Sequence, residues 1–339
     1  MQGKVEKPRL LDHRYYQIAG ITIRLESDLP ITDTTFHPKF KHFEVHRPGK
    51  DTITIRHHFF MPDLSKWNMG KEVYRKPPWA IYKKGPSWVY VGISGGGIWG
   101  AFKCLLSRIG HRLYTLKMNP HQKKGKVKNT ALRLIKEGHI KQLAIFNHDY
   151  SNGRIYNKAK RFFYRGNFPS LSLFPTDQVL LAQVLAEREG CYIHASGLVL
   201  NGKGLLFVGH SSAGKSTMAM MLKDQAKILC DDRMIVRRWP DGFKIHGTWS
   251  HGDVSDVAAD SAPLKAILFL KQDRENQLIP IDHKQEINRR LLACLIKPLV
   301  TAEWWERMLV LIDTMAQEVP CYSLHFNKDG DVIDLLRHL

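Results

Sequence analysis

In the run Gly209-His210-Ser211-Ser212-Ala213-Gly214-Lys215-Ser216-Thr217, the first eight residues fit the pattern G-x-x-x-x-G-K-[ST] in full. Each residue type in that pattern has a task at a polyphosphate. The two glycines allow backbone angles and a close approach at which main-chain N–H groups point at phosphate oxygens. A helix starting directly afterwards adds partial positive charge at its N-terminus. Lys215 supplies a full charge for the β- and γ-phosphates, and the Ser216 hydroxyl is a ligand for Mg²⁺. Magnesium also needs a carboxylate, and Asp231-Asp232 follows Lys215 by 16 residues, room for one short helix and one strand. Two adjacent carboxylates can divide the work, one holding the metal and the other taking a proton from an attacking hydroxyl. The bland alternative is a strand-end turn carrying two solvated charges.

These residues need elements to hold them. An apolar run at 205–208 reads as the strand entering the loop, and 217–223 as the helix leaving it. Residues 227–230 read as the strand before the acidic pair, and 234–236 as its continuation. Asn201-Gly202 lies between the apolar runs 192–200 and 204–208, a strong hairpin signal. The strand feeding the loop therefore has an antiparallel neighbour, and a mixed sheet is expected rather than a parallel one. Before it, Thr176 is placed to cap a helix over 177–189 with Gly190 at its C-terminal turn. After it, 266–270 reads as a buried strand, 284–296 and 301–317 as helices, 321–326 as a strand, and 328–330 as a turn. Lys265 is either a phosphate contact or part of a strand entry. Trp304-Trp305 reads as core or interface, and His57-His58 as satisfied surface or core residues.

The first half has a different texture. Residues 18–25, 52–56 and 88–93 alternate or run β-branched and aromatic between turn residues, predicting strands. Ser94 and the glycines 95–97 read as a turn between strands, and 123–128 as a basic loop. Net charge is +19, but residues 1–166 carry 32 basic and 11 acidic side chains against 19 and 21 in the remainder. Within 101–166 the ratio is 16 to 2. Aromatics stand among the charges at 162–164, an arrangement that suits nucleic acid and equally suits side chains lying along a β surface. Composition and charge change together near 166, so the expected domains are a basic β-rich 1–166 and a nucleotide-binding 167–339.

A chain of 339 residues suggests two domains, and 43% hydrophobic residues exclude a disordered chain. No apolar stretch approaches the ~18 residues of a membrane span. The N-terminus lacks the apolar core of a signal peptide. Five scattered cysteines without a C-x-x-C pair read as a reduced, cytoplasmic protein.

With these pieces assembled, residues 176–270 resemble the HPr serine kinase/phosphorylase family. The resemblance is carried by His194-Ala195-Ser196-Gly197, the hairpin, residues 209–217 and Cys230-Asp231-Asp232. The wider chain looks like the HPr-kinase-related proteins found beside peptide-modifying cassettes. The resemblance implies an α/β (α+β) fold with a mixed-sheet, phosphoenolpyruvate-carboxykinase-like nucleotide domain, with ATP and Mg²⁺ as cofactors. It implies that His194 lies near the phosphates, that Asp231 is the base and that Asp232 aids the metal. Two departures stand out. Ser212 replaces a usual glycine, and the family's Glu-x-Arg-Gly signature is absent. In its place in the order come His246-Gly247-Thr248-Trp249-Ser250-His251-Gly252-Asp253. That segment reads as a site loop, with Asp253 a candidate metal contact. Its spacing fits no common zinc set. HPr itself is therefore not the expected acceptor.

The expected function is an ATP- and Mg²⁺-dependent kinase acting on a hydroxyl of a peptide, protein or small molecule, with the basic half recruiting an acidic substrate. Two other readings remain: a nucleotide-regulated protein gripping nucleic acid through 101–166, and an RNA or nucleotide kinase. An oligomer is compatible with all three.

Overall fold

The computed structural model describes residues 12–64, 67–76, 79–93, 140–172, 177–297 and 301–339. The expected turn at 94–97, the basic loop at 123–128, residues 101–139 of the basic stretch and the Thr176 cap lie outside the described residues. The described residues of Met1–Tyr16, Ile21–Pro38 and Glu44–Thr176 form one unit, and those of Gln17–Gly20, Lys39–Phe43 and Asp177–Leu339 the other.

The first unit is built on β1 (Asp12–Ile18), β2 (Ile21–Ser27), β3 (Glu44–Val45), β4 (Asp51–His58), β5 (Lys71–Lys76), β6 (Trp79–Lys84), β7 (Ser87–Ile93), β8 (Ile140–Phe146) and β9 (Asn152–Asn157). Their order in one sheet is β3-β1-β2-β4-β9-β8-β7-β6-β5. The pairs β2–β4 and β4–β9 are parallel, and the run from β9 to β5 is antiparallel. Strand β4 shows why one face is core: Ile53, Ile55 and His57 are buried while their neighbours are only partly covered, the period-2 pattern of a sheet with one packed face. The strand expected over 18–25 is instead broken by a turn at Ala19-Gly20, both with positive φ, so β1 and β2 are separate strands. The aromatic run at 162–164 is helical rather than extended. Helix α1 (Lys160–Arg165) buries Phe163 against Phe59 at 4.5 Å and leaves Tyr164 exposed.

The second unit holds residues 209–217. Its strands are β10 (Gly190–Leu200), β11 (Lys203–Val208), β12 (Lys227–Cys230), β13 (Arg233–Trp239), β14 (Gly242–His246), β15 (Ser261–Gln272), β16 (Gln277–Pro280) and β17 (Cys321–Phe326). The Asn-Gly hairpin forms as expected: Asn201 and Gly202 both take positive φ between antiparallel β10 and β11. On its other side β11 runs parallel to β15, and β15 parallel to β17, so the sheet is mixed. Because β15 also pairs with β14, the ladder β11-β10-β13-β14-β15 returns to β11. The architecture as a whole is mixed α+β, with large mixed sheets.

Among the described residues the unit also contains helices α2 (Asp177–Ala186), α3 (Lys215–Leu222), α4 (Lys284–Cys294), α5 (Ala302–Glu318) and α6 (Val332–Arg337). Helix α2 stops before the expected 189. Glu189 takes the left-handed conformation, and Gly190 is the first residue of β10, where a Cβ would meet the Arg237 side chain at 2.7 Å. In α5 the Thr301 hydroxyl accepts from the Trp304 amide. Trp304, Met308, Leu311, Ile312 and Met315 then make a buried stripe at helical spacing. Trp304 also donates its indole N–H to the Ala182 carbonyl, so it is core. Helix α6 was not expected from the sequence. Lys265 lies on β15 and is exposed. Cys191, Cys230, Cys294 and Cys321 are buried free thiols. His57 is buried against the Leu171 carbonyl, and His58 pairs with Asp28.

Candidate functional site

Strand β11 delivers the chain into the loop and α3 takes it out, two residues earlier than expected. Gly214 is the N-cap, at φ 102 in left-handed space. A Cβ there would stand 2.5 Å from the Phe326 ring, so both angle and space require glycine. Ser212, the departure from the family pattern, takes φ 68. Gln272, which the sequence did not single out, donates to the Ser212 carbonyl and ties the loop to the end of β15. Lys215 folds back over the loop, its ammonium donating to the Gly209 and His210 carbonyls at 3.1 and 3.0 Å. Burial pulls its pKa below the ordinary lysine value, with Asp232 and Asp231 opposing that shift.

The carboxylates come from the break between β12 and β13. Both strands pair antiparallel with β10, with Gly197 opposite Cys230 and His194 opposite Arg233. Asp231-Asp232 is thereby held across from Ala195-Ser196, and the Ala195 amide donates to the Asp232 carbonyl. The two side chains sit very differently. Asp231 is fully buried and accepts three hydrogen bonds, from the Ser216 hydroxyl at 2.7 Å and from the Gly252 and Val254 amides at 2.6 and 3.0 Å. The Asp232 side chain is 25% exposed, with His194 Nδ1 at 3.8 Å and an Arg233 guanidinium nitrogen at 3.4 Å. Burial would raise its pKa, but His194, Arg233 and Lys215 together outweigh that and hold it below the usual carboxylate range.

The 246–253 segment is a strap rather than a cluster of ligands. Trp249 is buried between Phe40 and Phe43, 5.1 Å from each ring; these two belong to the 3₁₀ turn Pro38–Phe43. The Thr248 hydroxyl donates to the Arg233 carbonyl at 2.5 Å, and Cys230 donates its thiol to the Ser250 carbonyl. With its middle anchored, the strap brings Gly252 so close to the acids that a Cβ would lie 3.0 Å from Asp231 Oδ2. His246 is spent elsewhere: its Nε2 accepts the Trp239 indole N–H, and burial lowers its pKa to about 4. His251 lies against the Gly252 carbonyl, and Asp253 is exposed. Among the described residues no three His, Cys, Asp or Glu side chains gather as a metal-holding group.

The donor set suits a magnesium nucleotide. A glycine-bounded loop at a helix start, a lysine, a hydroxyl and two carboxylates of unequal exposure are brought together. Missed by the sequence reading were Arg233, Gln272, Phe326 and the Gly252 and Val254 amides. Arg233, adjacent to the acidic pair, and Gly252, within the 246–253 segment read as a site loop, stood where local sequence could have pointed to them.

Residues 176–338 match the family model described as SynChlorMet cassette protein ScmC. Among solved structures, the HPr(Ser) kinase/phosphatase from Coxiella burnetii aligns with 43% of this chain and 96% of its own, at 14% identity and a TM-score of 0.26. Comparison with curated proteins gives no match. No described helix is long and apolar enough to cross a membrane.

Proposed function

We propose that this protein is an ATP- and Mg²⁺-dependent kinase that transfers the γ-phosphoryl group to a hydroxyl of a peptide, protein or small molecule. One observation carries the reading: the loop's Ser216 hydroxyl is bonded to a buried aspartate at 2.7 Å, with a second, accessible aspartate beside it. A loop that bound some other anion would not need that acidic partner. The loop amides and Lys215 bind the phosphates and offset charge on the transferring group. Ser216 and one aspartate of the pair would hold Mg²⁺, which would further neutralise the phosphate oxygens. Asp253 stands one residue beyond Gly252, available as an outer metal contact. His194, facing Asp232 from β10, orients that carboxylate.

Residues 1–166, with 32 basic side chains against 11 acidic ones, would recruit an acidic acceptor or, in the second reading, nucleic acid. The match of 176–338 to a cassette-protein model favours an acceptor made or modified by the same cassette. The test is ADP formation from Mg·ATP in the presence of acidic peptides or of RNA. Acceleration by one class, absent in Lys215→Ala, supports the proposal and names the acceptor. Equal ADP formation by wild type and Lys215→Ala would defeat it.

A further inference from the structure

The two aspartates are chemically identical but differently placed, and that difference assigns their tasks. Resting on the kinase reading, we infer that Asp232 is the carboxylate that meets the acceptor hydroxyl, while Asp231 is the metal-side and loop-positioning carboxylate. This reverses the roles that the family resemblance implies.

Asp231 offers no exposed surface. It is 0% exposed, and three donors occupy its two oxygens: Ser216 Oγ, Gly252 N and Val254 N. Three of a carboxylate's roughly four acceptor positions are filled, and because the group is wholly buried a substrate hydroxyl would have to displace the strap or the loop serine to reach the fourth. Its bond to Ser216 also points to a metal role, because that hydroxyl is the group in this loop pattern that would hold Mg²⁺. The strap amides then act as fixed donors that keep Asp231 on Ser216 while phosphate enters and leaves.

Asp232 has the opposite character. Its side chain is a quarter exposed, and neither nearest partner bonds it at short range: His194 stands at 3.8 Å and Arg233 at 3.4 Å. It is therefore held on two sides and open on another. In the transfer, the acceptor oxygen bonds to the γ-phosphorus as the bond from that phosphorus to the β–γ bridging oxygen breaks. ADP leaves with the electron pair, and the hydroxyl proton passes to the Asp232 carboxylate. In a loose transition state the hydroxyl has to be aimed more than deprotonated, so an ionised carboxylate flanked by two cationic or polar side chains suits the task.

The experiment compares wild type, Asp231→Asn, Ser216→Ala and Asp232→Asn by titration calorimetry with ATP, with and without Mg²⁺, and by ADP release. Thermal unfolding serves as the folding check. Asp231→Asn is expected to lose at least about tenfold of the Mg²⁺-dependent gain in ATP affinity. Ser216→Ala, which leaves the Asp231 carboxylate bonded to the Gly252 and Val254 amides, is expected to lose the same gain and stands in if Asp231→Asn does not fold. Asp232→Asn is expected to keep that gain within about threefold while ADP release falls by about 10²–10⁴-fold, the usual worth of a positioned base. Loss of the Mg²⁺-dependent gain in Asp232→Asn with retention in Asp231→Asn or Ser216→Ala overturns the assignment, as does undiminished ADP release in Asp232→Asn. Where turnover with water is too slow to read, the binding data decide alone. Failure of the wild type to bind Mg·ATP is a separate result: it removes the kinase reading itself, and the assignment with it.

Discussion

Gly214 shows how tightly single residues constrain the site. Its φ of 102, and the Phe326 ring 2.5 Å from where a Cβ would stand, exclude any side chain. Gly214→Ala should weaken Mg·ATP binding at least about tenfold while the protein remains folded. Adding Phe326→Ala should not restore it, because the strained angle persists; titration calorimetry on both variants checks this. A second residue-scale consequence concerns pH. Burial lowers the pKa of His57 and of His246 to about 4, the latter with help from Arg237 and Lys244. Both are neutral in the folded chain near pH 7, whereas the unfolded chain takes up protons below about 6.5. Stability should thus be complete above pH 6.5 and fall as pH drops towards 4. His246→Gln should flatten that slope in urea titrations of the second unit, and an unchanged slope would show that His246 is not its source. At this scale the loop residues and both aspartates were legible, because pattern and spacing are local. The Gly252 and Val254 amides were not, since a backbone donor carries no side-chain signature and its use depends on where a distant strap is anchored.

Elements were readable where a local signal dictated them. Asn201-Gly202 specified the β10–β11 hairpin, and a helix was legible over 301–317, where α5 forms with its Thr301 cap and buried stripe from Trp304 to Met315. Thr301→Ala should cost about 1 kcal/mol, and Trp304→Ala about 3–5 kcal/mol through the cavity and the lost bond to the Ala182 carbonyl. Urea unfolding monitored by circular dichroism measures both, and near-zero effects would contradict the helix's place in the core. Elements were misread where tertiary packing decides. Residues 18–25 look like one strand, but a turn at Ala19-Gly20 splits them; in the second unit the Ala19 carbonyl accepts from the Arg237 guanidinium. Gly190 looks like a helix stop, yet it is a strand residue whose missing side chain makes room for Arg237. Both answers depend on β13, more than 40 residues away in sequence.

The whole molecule combines a basic first half with a second half near neutrality. If charge recruits the acceptor, the KM for an acidic peptide should rise steeply between about 50 and 200 mM salt, while Mg·ATP affinity changes little, since its partners are the local loop and carboxylates. Nucleic acid held by several phosphate contacts would show its own steep fall over the same range. The charge asymmetry was plain from composition; the way Phe40 and Phe43, from the first half of the sequence, cover Trp249 in the second unit was not. All of these expectations depend on one claim, that residues 209–217 bind a magnesium nucleotide. The most direct test is calorimetric titration of Mg·ATP into wild type and Lys215→Ala. Saturable one-to-one binding by wild type, weakened at least about a hundredfold in Lys215→Ala, is the predicted result. No binding by wild type, or equal binding by both, would contradict it.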